Sequence, residues 1–152
     1  MRPAISFADL AGARVGVWGM RMEGVAVAER LEALGADLVF VDNDPAIDPT
    51  RDVVSPAQGG IDLLLGCDVV VKAPGVSRYG AEALRVADAG VPMVGGLGLW
   101  MQSADPTRVV AITGTKGKST TASIVGHLLE RLGHRVFVGG NIGRPQIGRA
   151  HV

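Results

Sequence analysis

Cysteine is almost missing from this chain: Cys67 is the only one among 152 residues. No disulfide can form within the chain, and a reducing compartment is the simpler setting. Cys67 lies in LLLGCDVVV, where a buried small apolar residue fits better than a nucleophile. An excess of charge is missing too, since fifteen Lys and Arg balance fifteen Asp and Glu. A nucleic-acid groove or a membrane-surface patch needs surplus basic residues, so neither partner is expected and any anionic ligand must be met locally. No apolar run approaches the length of a membrane span. Asp9 and Arg14 interrupt the first stretch where a signal peptide would be apolar, and the protein is expected to be cytoplasmic. Aromatics make up only 4% of the residues.

What remains is glycine and aliphatic side chains: 22 glycines and 47% hydrophobic residues. This composition suits an α/β domain with tight turns, in a chain long enough for one core or for one domain and part of a second. The segment ARVGVWG (13–19) reads as a buried strand, and MEGVAVAERLEALG (22–35) as a helix with apolar positions three and four apart. ADLVFVD (36–42) is a second strand ending in an acid, so the chain opens on a βαβ unit of a doubly wound sheet. NDPAIDPTRDVVSPAQGG carries three of the eight prolines and reads as loop. A short helix, a strand at 68–72, a helix at 81–90, a short strand in VPMVGG and a brief helix in LGLWMQS follow. After a hinge at ADPT (104–107) the alternation restarts, with RVVAIT as strand, KSTTASIVGHLLERLG as helix and HRVFVGG as strand. The expected organisation is a first α/β domain over residues 1–105 and the start of a second over 106–145.

TGTKGKSTT (113–121) stands between that restarted strand and its helix. A strand entering a Gly-rich turn and then a helix aims successive backbone N–H groups, and the positive helix end, at one point. A triphosphate fits there. Gly114 and Gly117 allow close approach of the backbone, Lys118 can reach the terminal phosphates as a point charge, and Ser119 or Thr120 can offer a hydroxyl to Mg²⁺. Ser119 is the preferred metal ligand. The strict phosphate-loop spacing asks for glycine where Ile112 stands, so this is a shortened variant. The candidate nucleotide-binding residues are Gly114, Thr115, Lys116, Gly117, Lys118, Ser119 and Thr120, with Lys118 as the catalytic cation. Lys116 reads equally well as a solvated loop lysine, and Thr120 and Thr121 as first-turn residues of the helix. His127 and His134 have no carboxylate or cysteine at ligand spacing, and are surface or packing residues.

A second glycine turn, GMRMEG (19–24), occupies the first βα connection, but Arg21 stands where a dinucleotide fold would carry its middle glycine. A side chain there obstructs approach of a pyrophosphate to the backbone, although arginine can itself donate to phosphate. Asp42 follows about twenty residues on, at the position of a ribose or base contact. By itself this half-motif leaves a redox enzyme and a generic Rossmann-like shell equally open.

VVAITGTKGKSTT (109–121) and VGGNIGRP (138–145), taken with VVVKAPGVS (69–77) and VWGMRMEG, resemble the Mur ligases of peptidoglycan synthesis, in particular the branch that adds glutamate to UDP-N-acetylmuramoyl-L-alanine. The resemblance implies a Rossmann-like N-terminal domain that holds the UDP-sugar, followed by the start of a P-loop ATP-binding α/β domain. It also implies an ATP- and Mg²⁺-dependent amide ligase, monomeric in full length. Its substrates would be UDP-N-acetylmuramoyl-L-alanine and D-glutamate, joined through an acyl phosphate. An L-glutamate-adding ligase and a non-catalytic UDP-sugar-binding module are the alternatives. By the same resemblance Met22, Glu23, Asp42 and Asn43 fall where the family contacts the uridine nucleotide, with Ala73, Pro74 and Gly75 beside them, and Asn141 falls where it contacts the muramoyl-alanine part. Lys116 and Arg21 depart from the residues common in the family, asparagine and glycine. The resemblance ends at Pro145, and QIGRAHV (146–152) reads like a translated sequencing adapter, so a foreign tail and a truncated chain, inactive alone, are expected.

Overall fold

In the computed structural model, which describes residues 4–140, the aliphatic segments become strands buried on both faces. In chain order these elements are β1 (Arg14–Trp18), α1 (Met22–Glu32), β2 (Asp37–Val41), β3 (Val53–Val54), α2 (Gly60–Leu65), β4 (Val69–Lys72), α3 (Ala81–Asp88), β5 (Met93–Gly95), α4 (Gly96–Ser103) and α5 (Lys118–Arg131). The five strands form one sheet in the order β3-β2-β1-β4-β5, every pair parallel. Near-continuous valine runs are what such a sheet requires, because helices cover both sides.

The pleat sorts side chains between two apolar layers. Val15, Val17, Val69 and Val71 point toward a layer that holds Val27 and Leu31 of α1 and Leu99 of α4. Val39, Val41 and Val70 point the other way, toward Ile61 and Leu64 of α2 and Ala83 and Val86 of α3. Gly16 lets α2 sit close on that second face, since a Cβ there would meet Leu64 Cδ2 at 2.4 Å. Neither apolar cluster includes a residue beyond Trp100.

The strands, helices and order of the first hundred residues agree with the α/β reading. Val53–Val54 does not: it lies in the proline-bearing segment read as loop, yet it pairs with Phe40 and Val41. Two valines gain burial by extending the open edge of β2, which outweighs the turn chemistry around them. The opposite discrepancy occurs after the hinge. Among the described residues neither 108–113 nor 134–139 forms a strand, and Pro106–Arg108 is a 3-10 turn. A strand exists by pairing, and among the described residues these two segments find no neighbour to pair with. The second segment still packs on α5, because a Cβ on Gly126 would meet Val138 Cγ2 at 2.3 Å.

The long β2–β3 connection is tied down by Arg51. Its guanidinium donates to both carboxylate oxygens of Glu32 at 3.0 Å, pairs with Asp48, and stands 5.6 Å from the centre of the Phe40 ring. Hydrogen bonds from Thr50 and then Arg51 hold the Asp48 carboxyl down to about 2. A carboxyl lowered on folding contributes stability above its unfolded pKa, and that contribution is lost as pH falls through the folded one. Asp48→Asn is therefore expected to lower Tm most above pH 4, with the gap closing between pH 4 and pH 2 in a thermal-melt series (the ordinary carboxyl value is 3.8). A gap that stays constant over that interval would show that Asp48 acts by other means.

Candidate functional site

Because the chain winds outward from β1 to β3 and then crosses to β4 and β5, the strand order reverses between β1 and β4. A crevice opens outside the carboxyl ends of the strands at such a point. Three of the segments singled out from the sequence meet there. The first βα turn leaves β1, Asp42 and Asn43 leave β2, and Ala73, Pro74 and Gly75 leave β4.

Backbone and carboxylate hydrogen bonds hold these segments together. Gly19 N–H donates to Val41 O at 2.7 Å and Ala73 N–H to Trp18 O at 2.8 Å. The Asp42 carboxylate accepts from Met20 N–H at 2.7 Å and from Asp44 N–H at 3.0 Å. Asp42 thus fastens the β1 and β2 ends to each other, and each of its oxygens keeps a further lone pair. Gly19 turns at φ +98, and a Cβ there would meet that of Ala73 at 2.7 Å. The carbonyl of Gly19 in turn presses on Gly24 of α1, where an added Cβ would lie 1.9 Å from the oxygen. The final glycine of GMRMEG therefore has the role expected of such a turn, bringing helix and strand together, while Arg21 is exposed at the start of α1.

Beside this crevice lies a cleft of about 170 Å³, lined among others by Trp18, Asn43, Gly75, Val76 and Ser77. Asn43, Pro74 and Gly75 are exposed, Met22 is 58% exposed, and Ala73 is half-buried. Glu23 takes a different direction. Its half-buried carboxylate accepts the Leu97 N–H at the start of α4 and lies near Lys72, while burial, the larger influence, pushes its pKa up. Lys72, a residue to which the sequence alone gives no role, donates to Ala73 O at 3.1 Å and Val76 O at 2.7 Å. The available signal was a single cation ending an otherwise all-valine strand.

The second glycine loop, 113–117, runs directly into α5. Gly117 caps α5 at φ +77 and Gly114 stands at φ +152, both in the region that favours glycine. The first intrahelical bond is Thr121 N–H to Gly117 O, which leaves the amides of Lys118, Ser119 and Thr120 free at a fourteen-residue helix. The Lys118 ammonium folds back onto Gly114 O and, at 3.4 Å, Thr115 O. Residues 113–120 are all exposed. These donors suit a polyphosphate. Among the described residues no cluster of three or more His, Cys, Asp and Glu could hold a metal ion.

No hydrogen bond or ion pair joins loop 113–120 to the sheet edge among the described residues. Asn141 lies outside the described residues. His127 and His134 are exposed. Cys67 is buried with its thiol directed at Leu63 O, and burial pushes its pKa up. No helix among the described residues is long and apolar enough to cross a membrane.

No protein-family model matches the chain. Curated relatives do. The chain is 38% identical over 149 residues to a UDP-N-acetylmuramoyl-L-alanine–L-glutamate ligase of Xanthomonas euvesicatoria pv. vesicatoria, covering 90% of this chain and 32% of that protein. It is 38% identical over 148 residues to the ligase of the same name in Salinispora tropica, covering 91% and 33%. It is 37% identical over 146 residues to a UDP-N-acetylmuramoylalanine–D-glutamate ligase of Sphingopyxis alaskensis, again covering 91% and 33%. The chain spans about a third of the length of these relatives.

Proposed function

The chain belongs to the Mur ligase family, and on that premise we propose that it carries the nucleotide-recognition parts of an ATP-dependent ligase joining glutamate to UDP-N-acetylmuramoyl-L-alanine. Residues 1–105 would bind the uridine nucleotide and 106–145 would begin the ATP-binding part. One observation carries this reading: the turn after β1, Asp42–Asn43 and Ala73–Gly75 converge at the switch point of a parallel sheet. That is where such sheets bind nucleotides.

At this edge the first-turn amides of α1 and the exposed Arg21 guanidinium would supply positive charge for a diphosphate. The cleft beside Trp18, Asn43 and Gly75 offers room for the nucleoside. At the second loop, Gly114 through Thr120 would hold ATP, with Ser119 toward Mg²⁺. ATP supplies the phosphoryl group that turns a carboxylate oxygen of the substrate into a leaving group for attack by the glutamate amine. Lys118 contributes a cation beside the transferring group, where developing charge needs neutralising. The relatives' names include both hands of glutamate. The two of them named for L-glutamate favour that hand over the D-glutamate expected from the sequence, and assay of the intact gene product with each enantiomer separates the two.

A thermal-shift titration of the chain tests the binding reading. UDP-N-acetylmuramoyl-L-alanine, and separately ATP with Mg²⁺, are each expected to raise Tm by roughly 9 °C at a hundredfold excess over Kd. NAD is expected to leave it unchanged. Arg21→Ala is expected to weaken UDP binding about 5-fold while sparing ATP. A shift with NAD and none with the UDP-sugar would replace the ligase reading with a redox one.

A further inference from the structure

Lys72 ends β4 in the middle of the sheet, in register with Trp18 on one side and Gly95 on the other. A lysine at the end of three buried valines is costly to place unless its ammonium is satisfied. Here it is satisfied by the chain's own turn. The ammonium donates to Ala73 O and Val76 O, and Val76 N–H closes the same turn onto Ala73 O at 3.1 Å. Val76, with Gly75 before it and Ser77 after it, forms one wall of the cleft.

We propose that Lys72 is a positioning residue of the nucleotide site: by bridging the carbonyl oxygens of Ala73 and Val76 it holds the 73–76 turn in the shape that builds the Gly75–Ser77 wall. The inference rests on the nucleotide-binding reading of that edge and adds to it a residue that shapes the site without touching the ligand.

The surroundings fit shaping rather than phosphate contact. Glu23, whose carboxylate takes the Leu97 N–H, is the nearby opposite charge that favours the ammonium. Arg78, the other charge near it, is anchored through Nη2 to Met93 O at 3.1 Å. Burial and then Arg78 push the Lys72 pKa down while Glu23 opposes them. Two of the three ammonium donors are committed to carbonyls of the turn, which ties the cation to the wall and away from a diphosphate.

Calorimetric binding of two probes, UDP and uridine, to the 152-residue chain separates the possibilities, with ATP–Mg²⁺ binding as a check on the rest of the chain. Lys72→Met is expected to weaken UDP and uridine by the same factor, about 10-fold, and to leave ATP binding unchanged. Lys72→Gln keeps a polar donor too short to span both carbonyls; it serves as the second variant should Lys72→Met fail to fold, and the same equal loss is expected. Rescue is expected from Lys72→Cys in a Cys67→Ala background after alkylation with 2-bromoethylamine, which restores an ammonium at nearly the original length. Loss of UDP affinity with uridine unaffected would show a direct phosphate contact and overturn the positioning role. Unchanged affinity for both probes, or aminoethylation without recovery, would overturn it as well. If the unsubstituted chain binds neither probe while it still binds ATP–Mg²⁺, the nucleotide reading of the sheet edge fails, and this inference with it.

Discussion

Gly24→Ala is expected to destabilise the fold by about 3 kcal/mol, lowering Tm by roughly 10 °C, and to abolish UDP binding at ordinary temperature. The cause is steric and local. The added methyl would lie 1.9 Å from the carbonyl oxygen of Gly19 and 2.9 Å from its carbon, and both atoms are backbone held by the Gly19 N–H bond to Val41 O. No rotamer relieves such a clash, so α1 must lift off β1. That movement would open the layer in which Val27, Ala28 and Leu31 are buried to 1% or less. It would also carry the first-turn amides and Arg21 away from the switch point, coupling loss of stability to loss of binding. Against a net stability of ~10 kcal/mol, the chain should still fold in the cold. Thermal melts and UDP titration at two temperatures check this. A Tm within 2 °C of the parent would mean that helix and strand are not in such close contact.

Lys118→Ala in the intact gene product is expected to reduce turnover about 10³-fold, comparable to removing one preorganised charge from a phosphoryl-transfer site. Two losses combine. The transferring group would lose its nearest cation, and the loop would lose the ammonium that bridges Gly114 O and Thr115 O, so its carbonyls could swing toward the phosphates. The effect should fall on kcat and on ATP affinity, with UDP affinity unchanged, because among the described residues no hydrogen bond or ion pair connects the loop to the sheet edge. Lys118→Arg should recover little, since a planar fork cannot replace a compact charge inside a loop this short. Turnover within twofold of the parent would remove the phosphate-loop assignment.

The opening βαβ unit was legible because its signals are local. A short apolar run, a helix with apolar positions three and four apart and a glycine turn between them each read correctly from a few adjacent residues. The expected strands at 108–113 and 134–140 carry similar aliphatic runs, yet among the described residues neither 108–113 nor 134–139 forms a ladder. A strand's stability comes from neighbours that no local window contains. Val53–Val54 shows the converse, a strand made by the open edge beside it in the midst of turn residues.

The sequence by itself determined the chemistry available: two glycine turns ahead of helices, a lysine and hydroxyls at one, an arginine at the other, and an acid after the second strand. These follow from side-chain identity and short spacing, which chain connectivity preserves whatever the rest of the fold does. Only the tertiary structure decided that β4 lies against β1 and not beyond β3, and this adjacency is what brings Ala73–Gly75 beside Gly19 and Asp42. It likewise set the Glu23 carboxylate beside the α4 amide and the Lys72 ammonium on the carbonyls of Ala73 and Val76. The physical reason is that this adjacency, and the burial and hydrogen bonding it imposes, depend on contacts such as Val17 against Val71, far apart in the chain, whose energies no local pattern encodes.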